Sequence, residues 1–423
     1  MSLNRRDFLK LGVASSVALW LDTILEPLEL VAGEINQTVP EMIYRRFGKT
    51  NMNLSILSMG GSRYPYNEGD PEEAVKLITK AYDYGINYFE TGPEYVKDKS
   101  EEFLGLALKE IDRKNKGVKN PLPYYWGTKS GLYLDDKTAD DVRRRIDTSL
   151  KRMDKESVPL YHMWAIMNMD HYKEVMKKGG PYEGALQAKK EGLIDHIIYS
   201  THASGDENIQ IINDDVFEGV LIGYNITNFP RQEKAIKRAA EKNMGVLVMN
   251  PLAGGLIPRN KDYFKQRLQK SNTDMSLVQT ALAFVMGQPE ITVALSGMEK
   301  EEYIVENIKT INYLKIFKPE QLSGLKKQYL KGLEGICTTC QYCTNKCPEN
   351  IAIDAIMRAY NSYIMQGKKR FQAWARWYKG TEGIDFKTEI AKCIQCGKCE
   401  EVCTQHIDIL SRFDKITTEL LDV

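Results

Sequence analysis

The chain has 423 residues, of which 43% are apolar and 27% charged, and its formal net charge is +1. That length holds one large domain and a smaller one, with the composition of an ordinary soluble protein. A balance so near neutrality excludes the strongly basic surface of a nucleic-acid binder and gives no bulk attraction to acidic lipid.

At the start, "NRRDFLKLGVASSVALWL" sets two arginines before a short apolar run. This is the layout of a twin-arginine export signal, and residues 1–35 are read as that segment. The expected destination is the periplasm or the exterior of the cell envelope. An uncleaved signal would leave the protein tethered to the membrane.

From residue 42 to 315 short β-branched or apolar runs alternate with longer charged, helix-like ones. The strand candidates are "LSILSMG", "INYFET", "YYWGTKS", "VPLYHMWAI", "IDHIIYS", "GVLIGYN", "GVLVMN" and "TVALSG". Stretches such as "DPEEAVKLITKAYDYG" and "TADDVRRRIDTSLKRM" carry helical periodicity between them. Strict alternation predicts a parallel sheet with crossover helices. No G-x-G-x-x-G follows a strand, which disfavours a dinucleotide-type open sheet. Eight units in this length fit a closed (β/α)8 TIM barrel with its active site at the C-terminal strand ends. Glu90, Tyr95, Lys129, Trp164, Ser200 and Asn225 fall there.

Residues 316–423 form the second predicted domain, mostly helical and ferredoxin-like. All eight cysteines lie in two runs, "CTTCQYCTNKCPEN" and "CIQCGKCEEVCTQH". C-x2-C-x2-C-x3-C-P is the two-cluster ferredoxin spacing, in which the last thiolate of each run serves the other cluster. Cys337, Cys340, Cys343 and Cys403 are expected to hold one [4Fe–4S] cluster, and Cys393, Cys396, Cys399 and Cys347 the other. Disulfides or zinc are the alternatives. Thr404 stands where the second run usually has proline. Between the runs, "GKKRFQAWARWYKG" mixes cations with aromatics, as a docking face or as a helix shielding the clusters.

The segments "YRRFGKTNMNLSILSMGG", "GINYFETGPEYVKDKSEEFLGLAL", "GTKSG", "GALQAKKEGLIDHIIYST" and "NPLAGGL" resemble the aldo-keto reductases in order and spacing. With its tail, the chain looks like the branch that carries a C-terminal ferredoxin-like module. The resemblance implies hydride transfer between a nicotinamide cofactor, NAD(P)(H), and a small carbonyl or alcohol. It implies Tyr95 as proton donor, Lys129 beside it, and Glu90 in place of the family's aspartate. Trp164 stands where the family has histidine. An indole donates one hydrogen bond and exchanges no proton. His162, two residues earlier, faces the same side one layer deeper.

For the cofactor, the resemblance implies Ser200 and Thr201 at the carboxamide and Asn250, Leu252 and Gly254 at the pyrophosphate turn. It implies Ser296, Gly297, Glu306 and Asn307 towards the adenine end. Leu221, Met249 and Tyr303 depart from the family pattern, the last replacing an arginine and leaving Lys300 as the substitute cation. The implied partners are a small substrate and a redox partner protein or quinone-linked donor or acceptor, with no nucleic acid. The alternative is an iron–sulfur electron-transfer protein whose barrel is a non-catalytic binding module.

Overall fold

The computed structural model describes residues 39–423 apart from 68–69, 269–274, 315–321, 324–325, 328–334, 338–340, 404–406 and 422–423. The expected export segment, Cys340 and Thr404 therefore lie outside the described residues. The described chain opens with an antiparallel hairpin of β1 (Tyr44–Arg46) and β2 (Asn53–Ser55). Eight parallel strands follow: β3 (Leu57–Gly60), β4 (Tyr88–Glu90), β5 (Tyr125–Ser130), β6 (Val158–Ile166), β7 (Ile194–Thr201), β8 (Gly219–Gly223), β9 (Gly245–Met249) and β10 (Val293–Ser296). They close in the order β10-β3-β4-β5-β6-β7-β8-β9. The predicted barrel is thus present. One run is reassigned: the start of "LSILSMG" belongs to the hairpin and only its end to the barrel.

Closure works because successive side chains in a strand point to opposite faces. Leu57, Met59, Phe89 and Trp126 point outward into the layer of crossover helices, whereas Tyr88, Leu160, Ile198, Leu221, Leu247, Val293 and Leu295 fill the interior. The hairpin plugs the N-terminal end. Phe47 is fully buried, and a Cβ on Gly219 or Gly245 would come within 2.4 Å and 2.2 Å of its ring. Those two strands can begin there only with glycine. With the bottom sealed by an aromatic ring, the C-terminal rim is left open for chemistry.

After the barrel in the chain, helices Ile353–Gln366, Lys368–Thr381, Phe386–Ala391 and Ile409–Lys415 pack around a second, smaller core of Ile353, Ile356, Phe371, Phe386, Phe413 and Ile416. "GKKRFQAWARWYKG" is therefore a helix. It buries Phe371 and Tyr378 in this core and exposes Trp377 with its lysines and arginines. The tail also touches the barrel. Ile364 and Met365 pack against the barrel core, and Gln366 Nε2 donates to Asn260 Oδ1 in the loop after β9.

Candidate active site

The interior alternation lifts Glu90, Lys129, Trp164 and Ser200 into one layer at the open rim. Lys129 and Glu90 are almost wholly buried there and form an ion pair through Nζ and Oε1. The Lys129 Nζ also donates to the Tyr95 hydroxyl at 2.9 Å. Trp164 stands edge-on to the Tyr95 ring, with centroids 5.6 Å apart. The Lys129 ammonium lies 4.8 Å from the Tyr95 ring centroid and 5.4 Å from that of Trp164. Gly92 presses on the Lys129 stem, where a Cβ would approach Cε at 3.3 Å. Val96, Lys97 and Asp98 follow Tyr95 with φ of 54°, 51° and 66°. Left-handed geometry at a β-branched valine is strained, and strain of this kind gathers at functional sites.

Strand β6 carries a second distortion. Its register with β7 shifts between Met163 and Ile166, and Ala165 has φ 56°. A bulge re-aims the side chains around it. The freed Ala165 N–H donates to Ser200 Oγ at 2.8 Å. One layer deeper, His162 is fully buried with Nε2 3.1 Å from the Tyr88 hydroxyl. Gly127 leaves room for that pair, since a Cβ there would lie 2.7 Å from the Tyr88 oxygen. His162 belongs to the packing of the barrel, not its rim.

Burial pushes the Lys129 ammonium down, to about 7. The Glu90 carboxylate opposes this, because a contacting anion favours the charged form. Burial, then the Lys129 charge, drives His162 well below its ordinary value and keeps it neutral.

Above this layer opens a cavity of about 1230 Å³. That exceeds the roughly 300–1,000 Å³ of most small-ligand pockets. Its floor carries Glu90, Tyr95, Lys129, Trp164 and Ser200 beside apolar Leu221, Met249 and Leu295. Its far wall carries Asn250, Leu252, Gly254, Ser296, Gly297, Glu306 and Asn307. Asn307 Nδ2 donates to Ser296 Oγ at 3.0 Å, and Glu306 accepts from Ser276 Oγ at 2.6 Å.

In the tail, Cys347, Cys393, Cys396 and Cys399 line one small cavity. The last cysteine of the first run has thus joined the first three of the second. None of the seven described cysteines is in a disulfide. Among the described residues no three Cys, His, Asp or Glu side chains converge as ligands of one ion. Cluster thiolates bond to different irons and so stand farther apart than the ligands of a single zinc. Four thiols around one cavity therefore fit an iron–sulfur group. Cys343 is buried in the small core of the tail, and Cys337 and Cys403 pack against that core.

A family profile described as "Aldo/keto reductase family" matches residues 57–328. The chain belongs to the aldo/keto reductase family. It is an oxidoreductase built on that barrel, and a second profile, "4Fe-4S dicluster domain", matches residues 336–408. Its relatives include an L-galactose dehydrogenase of Arabidopsis thaliana, 25% identical over 69% of this chain and 93% of that protein. An NADH-specific methylglyoxal reductase of Escherichia coli is 21% identical over 62% of this chain and 90% of the relative. A probable voltage-gated potassium channel subunit beta of Oryza sativa is 23% identical over 67% and 96%. Among solved structures, the holo form of a Bacillus halodurans aldo-keto reductase superposes with TM-score 0.55 at 19% identity. It spans 68% of this chain and 96% of its own.

Within this aldo/keto reductase barrel one expected residue turns away. Thr201 is not on the cavity wall. Its Oγ1 meets Ile166 O at 3.0 Å and Asn208 Oδ1 at 2.9 Å, because strand alternation that points Ser200 inward must point Thr201 outward. Lys300 is also absent from the wall, although Tyr303 is there. Besides Lys129 on the floor, Arg63, Arg259, Lys261 and Lys265 line the cavity. Three of these belong to "PRNKDYFKQR", which reads as an ordinary charged stretch. Only their proximity in sequence to the "NPLAGG" turn could have signalled them.

Proposed function

We propose that the barrel transfers a hydride between a nicotinamide cofactor and a small carbonyl or alcohol, and that two [4Fe–4S] clusters in the tail link it to a redox partner. The observation that carries this is the contact of one buried ammonium with both the Tyr95 hydroxyl and the Glu90 carboxylate. As charge grows on a carbonyl oxygen, the Tyr95 O–H supplies the proton. An unassisted phenol, with pKa near 10, is a poor donor at neutral pH. The Lys129 ammonium lowers that value, and Glu90 keeps the ammonium charged and in place. Trp164 offers an N–H to orient substrate and exchanges no proton.

When bound, the nicotinamide supplies or accepts the hydride. Ser200, whose oxygen already accepts from Ala165, retains its O–H for the carboxamide. The turn from Asn250 to Gly255, with Arg259, Lys261 and Lys265, suits the pyrophosphate. Glu306 and Asn307 suit the adenosine end. In the tail, Cys337, Cys340, Cys343 and Cys403 would hold one cluster and Cys347, Cys393, Cys396 and Cys399 the other, supplying one-electron exchange. The partner is a protein or quinone-linked carrier, met after export by the twin-arginine route.

Anaerobic titration with NADH and NADPH tests the barrel. Micromolar or tighter binding, abolished turnover in Tyr95→Phe and unchanged cofactor affinity are expected. No binding, together with full activity in Tyr95→Phe, would sink the reading. Cys396→Ser tests the tail: electron exchange with an artificial one-electron acceptor is lost while nicotinamide binding stays. A second reading, electron transfer with a binding barrel, draws on the apolar floor of Leu221, Met249 and Leu295. The channel-subunit name carried by one relative points the same way. It predicts that Tyr95→Phe changes nothing.

A further inference from the structure

The tail meets the barrel at the wall of the cofactor cavity. Helix Ile353–Gln366 ends there, stopped by Gly367 with φ 85°. Its Ile364 packs against both cores, and Met365 packs against the core of the barrel. The last residue of the helix, Gln366, donates from Nε2 to Asn260 Oδ1.

Asn260 is the joint between two short helices, Leu256–Arg259 and Lys261–Leu268. It is buried, and its own segment satisfies three of its polar groups. Its N–H donates to Ile257 O at 3.2 Å, and its Nδ2 donates to Leu256 O at 2.7 Å. Its backbone carbonyl accepts from Phe264 N–H at 3.2 Å. The fourth group, Oδ1, takes its donor from the tail, 106 residues away in the chain.

The joint matters because of what flanks it. Arg259 and Lys261 stand on either side of Asn260, Lys265 lies one turn on, and all three line the cavity. Arg259 Nη2 donates to Gly254 O at 2.9 Å, in the turn after β9. Gly255, with φ 85°, leaves room for this guanidinium, since a Cβ there would lie 3.0 Å from Nη1. Cations on so short a stretch repel one another, and Lys261 and Lys265 form a like-charged i,i+4 pair. Such a segment needs anchors to keep its charges at one wall. Ile257 and Phe264 fasten it to the barrel core, and Gln366 fixes the joint between them.

We propose that Gln366 is a positioning residue through which the tail completes the dinucleotide site: by fixing Asn260 it holds Arg259 and Lys261 towards the pyrophosphate. The inference rests on the nicotinamide reading above. Charge-assisted hydrogen bonds to phosphate are strong ones, and they require the cation to be in place beforehand. Removing the Gln366 amide leaves a buried acceptor unpaired, so the joint relaxes towards water and carries the flanking cations with it.

The test is equilibrium binding to the anaerobically purified full chain, with iron measured on each sample. The probes are ADP-ribose and whichever of NADH and NADPH binds the wild type more tightly. Gln366 is an exposed helix end, where alanine preserves the helix. Gln366→Ala is expected to weaken the dinucleotide by roughly 3–10-fold, the worth of one hydrogen bond, at unchanged iron content. ADP-ribose keeps the pyrophosphate and lacks the nicotinamide, so it should lose the same factor. Asn260→Ala should weaken both probes, and the double variant should bind no worse than Asn260→Ala alone, because both substitutions remove one contact. Wild-type affinity in Gln366→Ala, or a fully additive loss in the double variant, overturns the proposal. So does ADP-ribose that fails to bind the wild type or is indifferent to the substitution. A wild type that binds neither NADH nor NADPH overturns the nicotinamide reading itself, and this inference with it.

Discussion

The barrel and the tail solve the problem of holding a reactive group in opposite ways. In the barrel, an interior closed by Phe47 packs around the buried Tyr88–His162 pair beneath the rim, and the Glu90–Lys129–Tyr95 set sits on top of it. In the tail, Cys343 and Cys399 are themselves members of the small core. Structure and chemistry there use the same side chains. Burial pushes the Cys399 thiol up to about 11, with Glu400 and Cys393 adding to the effect, whereas a metal ligand must be a thiolate. A thiolate at Cys399 therefore needs a bound cation to hold it in that core. A fold that supports its site can lose the site and stand. A fold that includes its site cannot.

Removing the iron is the severest way to break that comparison. With a chelator under oxidising conditions, the tail should lose most of its protection from hydrogen exchange between residues 336 and 423, while the barrel strands keep theirs. Equal protection in both regions, with and without iron, would show the tail to be as self-sufficient as the barrel. Next in size is Tyr95→Phe. It should lower kcat by about 10²–10⁴, the usual worth of general acid catalysis, and leave cluster absorbance untouched.

Phe47→Ala should destabilise the barrel by about 3–5 kcal/mol, since a large cavity opens beneath Gly219 and Gly245. Denaturant unfolding monitored by strand and cluster signals separately would show whether the tail follows. The smallest effect is on pH. Burial lowers Lys129 to about 7, so its proton is held below that pH and lost above it. The Glu90 contact raises that value again, so carbonyl reduction should decline as pH rises above about 7. Glu90→Gln removes the anion that retains the proton and should move this decline to lower pH. A limb that stays in place would mean that another group sets it.

Much of the fold was legible because its signals are local. Each barrel strand is a short apolar run with its own period, and β6 coincides with "VPLYHMWAI" from end to end. The cysteine spacing carried the crossing of Cys347 into the other run's cavity, since three-residue steps place ligands around one cluster. Tyr95, Lys129 and Glu90 were legible through a resemblance to known sequences. The hairpin was missed because three-residue strands hold too few side chains to show a period.

What depended on long-range packing could not be read in this way. The bulge at Ala165 arises from the mismatch between β6 and β7. Thr201 faces outward because Ser200, its neighbour, is drawn in by the Ala165 amide. Arg259, Lys261 and Lys265 reach the cavity only because the loop after β9 folds back over the rim and meets Gln366 of the tail. Arg412 reaches the Gly335 carbonyl across 77 residues of chain. Periodicity and ligand spacing are properties of neighbours along the chain, so they are present in the sequence as written. Convergence of distant side chains is set by how the closed barrel and the small second core pack, and that is fixed only once every element is in place.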